Sequence, residues 1–351
     1  MPSRDPFADL PVPLDLQPME ARLVEDLPDD EGWQFEPKWD GFRCLAFKSD
    51  GAVDLRAKSG KPLARYFPEM VALLKTLPQK RFVIDGELAI PDGDTLSFEA
   101  LQARLHPAES RIAKLSKDTP AILILFDMIV TPRGRSLIEA PLTERRKALE
   151  AFVSVAREPA LKLSPYTEGR GEAEAWLSRA SGALDGVIAK HSDGPYMPGE
   201  RAMLKVKPTR TADCVVGGFR YGSKSREVGS LLLGLYDDDG LLDHVGFTAT
   251  ITDRERAAFT KLLEGMIAPP GFSGKAPGGP SRWSTERSGD WQPVQPKLVV
   301  EVRYDQVTDN RFRHGTKLVR FRPDKAPKQC TFEQIAPIGP APKLIAKLLG
   351  A

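Results

Sequence analysis

From Gln34 onward the chain alternates short apolar runs with turn residues. Leu45–Phe47, Val53–Arg56, Phe82–Ile84 and Ile122–Phe126 predict strands. Helical spacing appears in Pro68–Leu77, where Met70, Leu73, Leu74 and Leu77 share a face. It recurs in Thr143–Val155, with Thr143 as the cap and Arg146 where Glu would complete a capping box. Ala173–Ala180 is a weaker helix. Residues 1–30, rich in Pro and acids, read as an extended lead-in. Strands and helices mix without regular βαβ alternation, which predicts the α+β class rather than a doubly wound sheet.

The pattern changes at Lys207-Pro208-Thr209. Beyond it strands dominate: Cys214–Phe219, Leu231–Tyr236, Val245–Thr248, Leu298–Tyr304 and Lys317–Phe321, interrupted by a helix over Asp253–Gly265. Ala268–Pro280 holds four Pro and four Gly in thirteen residues and predicts a loop. Five short strands and one helix suit a small Greek-key barrel of the OB type. The expected division is therefore 1–208 and 209–351.

At 351 residues, with 41% apolar and 28% charged positions, the composition fits a soluble globular chain with room for two domains. The longest candidate membrane run, Ala121–Phe126, ends at Asp127, far short of the roughly 20 apolar residues of a spanning helix. No apolar segment follows the N-terminal Met-Pro-Ser-Arg-Asp-Pro, so a secretory signal is not expected. Cys44, Cys214 and Cys330 lie far apart with no Cys-x-x-Cys. That argues against a zinc site or a disulfide framework and fits a reducing cytoplasm.

The net charge of +2 conceals an asymmetry. Residues 201–226 carry +6 and residues 297–328 carry +5, leaving −9 for the rest. Such segments are a footprint for a polyanion if they meet in space.

Several nucleotide motifs are absent. There is no Gly-x-Ser-x-Gly and no Gly-x-Gly-x-x-Gly after a strand. Gly60-Lys61 is not a phosphate loop, since Leu55 stands where its first Gly belongs and Pro62 follows. What stands out is Glu36-Pro37-Lys38-Trp39-Asp40-Gly41-Phe42-Arg43. Pro37 fixes the backbone before Lys38, and Gly41 permits a tight turn. A lysine held near other cations is expected to have a lowered pKa and to act as a nucleophile.

Further motifs follow in order: Asp85-Gly86-Glu87, Leu125-Phe126-Asp127, Asp185-Gly186-Val187-Ile188-Ala189-Lys190, Lys205-Val206-Lys207 and Arg320-Phe321-Arg322-Pro323-Asp324-Lys325. The ordered set resembles the covalent nucleotidyltransferase superfamily of ATP-dependent DNA ligases, RNA ligases and mRNA capping enzymes. The resemblance runs from about Leu16 to Ile335. Asp193-Gly194-Pro195-Tyr196 and Arg311-Phe312-Arg313-His314 make it most similar to the short bacterial ligases called ligase C, themselves similar to the ligase domain of ligase D.

The resemblance implies a role for each matching position. Lys38 attacks the ATP α-phosphate and holds AMP as a phosphoramidate. Glu36 lines the adenine edge, Phe126 stacks on the base and Ile188 covers its other face. Arg43 contacts the nucleotide and the 5′-phosphate of a nick. Glu87 lies near the ribose and metal, and Lys190 near the nucleotide phosphates. Lys205 and Lys207, two apart and so on one face of a strand, bind triphosphate. Arg322 and Lys325 orient the pyrophosphate leaving group.

Two positions depart from the family pattern. Asp185 stands where Glu is usual, so a metal is reached differently, through water for instance. Lys58, in Ala57-Lys58-Ser59-Gly60, replaces an Arg and loses bidentate phosphate geometry.

The expected function is an ATP-dependent DNA ligase that seals nicks in duplex DNA during repair, with Mg²⁺ or Mn²⁺. An RNA ligase or a capping-type nucleotidyltransferase is the alternative. Arg220, Lys224, Arg226, Arg311 and Arg313 are the expected DNA contacts. A monomer in the bacterial cytoplasm, associated with the nucleoid, is expected. So is a separately encoded repair polymerase or end-binding protein as partner, because no such domain fits in this length.

Overall fold

The computed structural model describes residues 5–93, 95–178, 184–223, 225–278, 290–336 and 345. The chain divides into two compact units, Met1–Pro208 with Gly339–Ala351, and Thr209–Ile338.

The first unit contains two sheets. One has five strands in the order Ala52–Ala57, Phe42–Ser49, Arg81–Ala89, Ile122–Val130 and Leu161–Leu163, antiparallel except for the last pair. The other has four, in the order Ala21–Val24, Met203–Val206, Leu184–His191 and Trp33–Trp39. The first pair of this sheet is parallel. The expected lead-in thus needs correcting, because Ala21–Val24 is an edge strand paired with Met203–Val206.

Each sheet has an outer face under helices. Leu55, Phe82, Ile84, Leu123 and Leu125 of the five-stranded sheet pack with Met70 and Leu74 of the helix Pro68–Thr76 and with Leu149 and Phe152 of the helix Leu142–Ala156. Phe35, Val187, Ala189 and Leu204 of the other sheet pack with Ala173 and Trp176 of the helix Arg170–Ser178. The inner faces meet through Leu45, Phe47, Val83, Ile129 and Met203, and Trp39, at its strand's end, packs with Ile124 and Leu184. Ile122–Val130 is buried over all nine residues, which explains why it is apolar at every position but Asp127, whose charge Arg145 pairs.

Local detail differs from the expected elements in two places. The helix expected to start at Thr143 starts at Leu142, with Pro141 at the cap and no side-chain cap bond. Arg145, one residue before the Arg146 that was expected in the box, instead makes a buried pair with Asp127 at 2.7 Å. Lys48 is only 2% exposed and donates to the carbonyls of Leu74, Lys75 and Leu77 at 2.8–3.1 Å. Its ammonium thereby takes up carbonyls at the end of the helix Pro68–Thr76, where positive charge is favourable.

The second unit is a six-stranded antiparallel sheet, with Leu242–Thr248, Val228–Tyr236, Arg210–Tyr221, Val299–Tyr304 and Lys317–Phe321 in that order and the short strand Gln292–Pro293 paired with Arg210–Tyr221. The Thr316 amide donates to the Phe247 carbonyl at 3.0 Å and Thr248 bridges Thr316, so the two ends meet and the sheet closes. The helix Asp253–Glu264 lies between the third and fourth strands in sequence. This is the strand order of an OB barrel, with the core formed by Val215, Phe219, Leu233, Val245, Val300 and their neighbours.

Candidate functional site

The inner faces of the first unit leave a cavity of about 1160 Å³. It is lined by Glu36, Lys38, Arg43, Lys58, Glu87, Phe126, Ile188, Lys190 and Lys205, among others. Strand alternation explains this gathering. In Trp33–Trp39, Phe35 turns to the helix side, so Gln34, Glu36 and Lys38 turn inward. Ile188 is paired with both Glu36 and Lys205, and Lys190 with Gln34. The cavity wall is therefore written in rows across three strands.

At one end of the wall stand the lysines. Lys38 Nζ donates to Asp185 Oδ2 at 2.5 Å, and Lys207 Nζ lies 3.0 Å from Asp185 Oδ1. Lys38 thus stands among cations, as expected, but with a carboxylate partner that the sequence reading did not foresee. Lys205 shares this setting. Burial, together with Lys38, Lys207 and Lys58, lowers its pKa. Gly186 makes this end possible: φ is +131°, and a Cβ there would lie 2.1 Å from the Val206 carbonyl oxygen. Gly41 serves close approach rather than a left-handed turn, since a Cβ would meet the Leu88 carbonyl oxygen at 2.3 Å.

The five-stranded sheet supplies the opposite wall. Arg43 and Glu87 are directly paired across strands. The Arg43 guanidinium makes two 2.6 Å bonds to Asp85, donates to the Met19 carbonyl at 3.3 Å, and lies 4.5 Å over the Phe126 ring. Burial opposes its charge, but Asp85 holds its pKa above the usual arginine value. The Tyr196 hydroxyl donates to Asp85 at 2.6 Å and accepts from the Met19 amide at 3.0 Å. Asp85 and Tyr196 carry no role in the sequence reading, although both lie inside quoted motifs. The signal was available for Asp85, which is two residues from Glu87 and so on the same face. Burial pushes the Glu87 carboxyl up to about 7, against the opposing pull of Lys38 and Arg43.

Lys190 is placed differently from expectation. It stands two residues beyond Ile188, away from Asp185, and its ammonium is 2.9 Å from Glu36. It therefore belongs to the end of the cavity marked by Glu36 rather than to the lysine cluster. Lys58 pairs with Glu20 at 3.0 Å on the rim.

No group of three or more His, Cys, Asp or Glu fit to hold a metal occurs among the described residues. Both Asp185 oxygens face lysines, while the Glu87 carboxylate lines the cavity with no lysine on it among the ion pairs described. That set fits an ion carried chiefly by substrate phosphates and water, the habit of Mg²⁺, and not an all-protein cage.

In the second unit Arg322 bonds Asp213 at 2.9 Å and Asp324 at 2.8 Å, and Lys325 bonds Asp213 at 2.7 Å. Asp213 was not foreseen as their common partner. Of the expected DNA contacts, Arg226 and Arg311 are exposed. Arg313 bonds Gln306 at 2.7 Å and Arg311 bonds the ring of His244 at 3.0 Å. Arg220 and Arg311 both press on His244, and burial with these two cations lowers its pKa to about 3. Lys224 lies outside the described residues. No helix among the described residues is long and apolar enough to cross a membrane.

Comparison with known proteins agrees with this geometry. The family described as "ATP dependent DNA ligase domain" matches residues 18–207, and "ATP dependent DNA ligase C terminal region" matches 224–325. The chain is 42% identical to DNA ligase C1 of Mycolicibacterium smegmatis over 93% of its own length and 95% of that protein. It is 31% identical to the multifunctional non-homologous end joining protein LigD of Mycobacterium bovis, over 86% of this chain and 37% of that one. A solved Lig E DNA ligase shares the fold, with a TM-score of 0.52 at 20% identity, covering 87% of this chain and all of that one.

Proposed function

The chain belongs to the ATP-dependent DNA ligases, and we propose that Lys38 is the residue that accepts AMP. Ligases of this family seal nicks in DNA with ATP. In the proposed first step Lys38 Nζ gives a proton to its partner Asp185 and forms a bond to the α-phosphorus, the bond to pyrophosphate breaks, and AMP is held as a phosphoramidate. AMP then passes to the 5′-phosphate of the nick. The 3′-hydroxyl attacks that phosphate, and AMP leaves. Such transfers need positioning and charge neutralisation more than acid–base groups.

The observation that carries this reading is the convergence of Lys38, Lys58 and Lys207 on Lys205 at one end of the cavity, with Asp185 pairing Lys38 and Lys207. Asp185 keeps Lys38 and Lys207 side by side while no substrate is bound. Lys205 and Lys207 take the triphosphate, and Lys58 meets phosphate at the rim. Glu36 meets the base edge between Phe126 and Ile188. Arg43, set by Asp85, meets the nucleotide and the nick phosphate. Glu87 faces the ribose and would help hold a divalent ion, Mg²⁺ or Mn²⁺, which would supply further charge neutralisation. Arg322 and Lys325 leave Asp213 to orient pyrophosphate. Arg220, Lys224, Arg226, Arg311 and Arg313 hold the duplex backbone.

The same reading takes Pro208 as the end of the adenylation domain. It places a monomeric enzyme at the bacterial nucleoid, working with a separate repair polymerase or end-binding protein. Incubation with α-labelled ATP followed by a denaturing gel tests the first step. The parent chain should carry label and Lys38→Ala none, while Lys38→Ala still seals a pre-adenylated nick in part. Full labelling of the variant would overturn the assignment.

A further inference from the structure

In the second unit two acids stand directly opposite each other. Asp213 of the strand Arg210–Tyr221 is paired across the sheet with Glu301 of the strand Val299–Tyr304. Like charges so placed repel, and Asp213 is only 8% exposed, so cations are needed beside them. One short segment supplies these. Glu301 takes Arg320 at 2.7 Å. Asp213 Oδ1 accepts from Arg322 Nη1 at 2.9 Å. Its Oδ2 accepts from the same nitrogen at 3.1 Å and from Lys325 Nζ at 2.7 Å. The backbone of Asp213 is fixed as well. The Gln334 side chain accepts from its amide at 3.0 Å and donates to its carbonyl at 3.1 Å. Asp213 therefore stays with its strand when the cations change partner.

Arg322 has a second partner on its own segment. Its Nε and Nη2 grip Asp324, two residues on, at 2.8–3.2 Å. A guanidinium presents five N–H donors in a fixed fork, so the Nη1 side can change partner while Asp324 keeps the rest. The bonds to Asp213 span 109 and 112 residues and are the ones given up when another anion takes Arg322 and Lys325. Pyrophosphate offers the same donors more oxygens and more charge than a carboxylate does. The two anions are rivals. We infer that Asp213 is a positioning residue that competes with pyrophosphate for Arg322 and Lys325 and so promotes release of the leaving group. The inference rests on the reading above that these two cations orient pyrophosphate, and goes beyond it in giving Asp213 a share in product release.

Reversal of the adenylation step provides the test. A pyrophosphate oxygen then bonds to the α-phosphorus, the phosphorus–nitrogen bond breaks, Lys38 Nζ recovers its proton and ATP re-forms. The full-length chain is adenylated with α-labelled ATP, freed of nucleotide and mixed with increasing inorganic pyrophosphate and Mg²⁺. Loss of label from the protein is followed. If the carboxylate holds the cations about nine-tenths of the time, its removal raises their apparent affinity for pyrophosphate about tenfold. Asp213→Asn should therefore reach half-maximal loss of label at about one-tenth of the pyrophosphate that the parent needs. The double variant Arg322→Ala with Lys325→Ala should need more pyrophosphate than the parent, and adding Asp213→Asn to it should change nothing further. A requirement in Asp213→Asn equal to or above the parent's overturns the inference and leaves Asp213 a structural counter-ion. Asp213→Ser removes the carboxylate without turning an amide NH₂ to Lys325, so it answers the question if Asp213→Asn does not fold. A double variant with the parent's requirement overturns instead the placing of Arg322 and Lys325 on pyrophosphate, and this inference with it.

Discussion

Among single residues, Glu87 has the most legible electrostatics. It faces Arg43 across the sheet, yet burial raises its carboxyl to about 7 from an ordinary 4.5. A group that binds its proton more tightly folded than unfolded favours the fold below the unfolded value, here about 4.5. That contribution is lost as the pH rises through about 7. Glu87→Gln cannot ionise, so the nucleotide-free variant should gain stability over the parent at pH 8, by about 1–3 kcal/mol. At pH 5 the two should lie close together. Thermal melts at the two pH values measure this, and an equal gap at both would contradict the assigned cause. His244 titrates in the opposite sense. Its pKa falls to about 3, so stability should be lost as the pH drops from about 6.5 toward 3. The slope approaches one proton, about 1.4 kcal/mol per pH unit. Substitution by Gln should flatten the acid limb, and an unchanged limb would place the proton uptake elsewhere.

Among elements, the strand Leu184–His191 sets the site, because it lies between the strands that carry Lys38 and Lys205. Its passage past Val206 depends on Gly186, where a Cβ would collide with backbone at 2.1 Å. Gly186→Ala should therefore destabilise the first unit by roughly 3 kcal/mol or more and weaken labelling by ATP. Gly171, in the helix Arg170–Ser178, provides the contrast, since a Cβ there meets nothing within 4 Å. Gly171→Ala should be neutral or stabilise by up to about 1 kcal/mol. Denaturant unfolding of the two variants decides between a packing requirement at Gly186 and a general cost of altering glycine. The strand Trp33–Trp39 shows why some elements were not legible. Its inward positions are Gln34, Glu36 and Lys38, so the polar side of its alternation faces the interior. A reading that equates apolar with inside passes over it.

For the whole molecule, the charge is divided unevenly along the chain. Residues 201–226 and 297–328 carry +11 together against −9 elsewhere. Each phosphate neutralised on B-DNA adds a slope of about −0.9 to log K against log salt. If roughly five cations engage, nick affinity should fall on the order of 10²–10³ between about 50 and 200 mM salt. Arg226→Ala with Arg311→Ala should flatten the slope by about 2. A slope that does not move would put both on an ordinary solvated surface. Lys205 and Lys207 belong to the same basic stretch but face the cavity and Asp185 respectively. They should therefore contribute little to the salt dependence of DNA binding.

The sequence by itself determined the class and the order of motifs, because residue types in a fixed order survive without coordinates. It also determined most outward-facing strands and helices, since apolar runs and helical spacing register burial against a neighbouring layer. Which charge meets which was decided only by the tertiary structure. Asp185 with Lys38, Glu36 with Lys190, Asp85 with Arg43 and Asp213 with Arg322 each join residues 42 to 154 positions apart. Their contacts depend on strand register and on one irregularity between Leu184 and Val187. A shift of one residue in register turns every side chain of a strand to its other face. Composition and spacing along the chain contain no record of that choice.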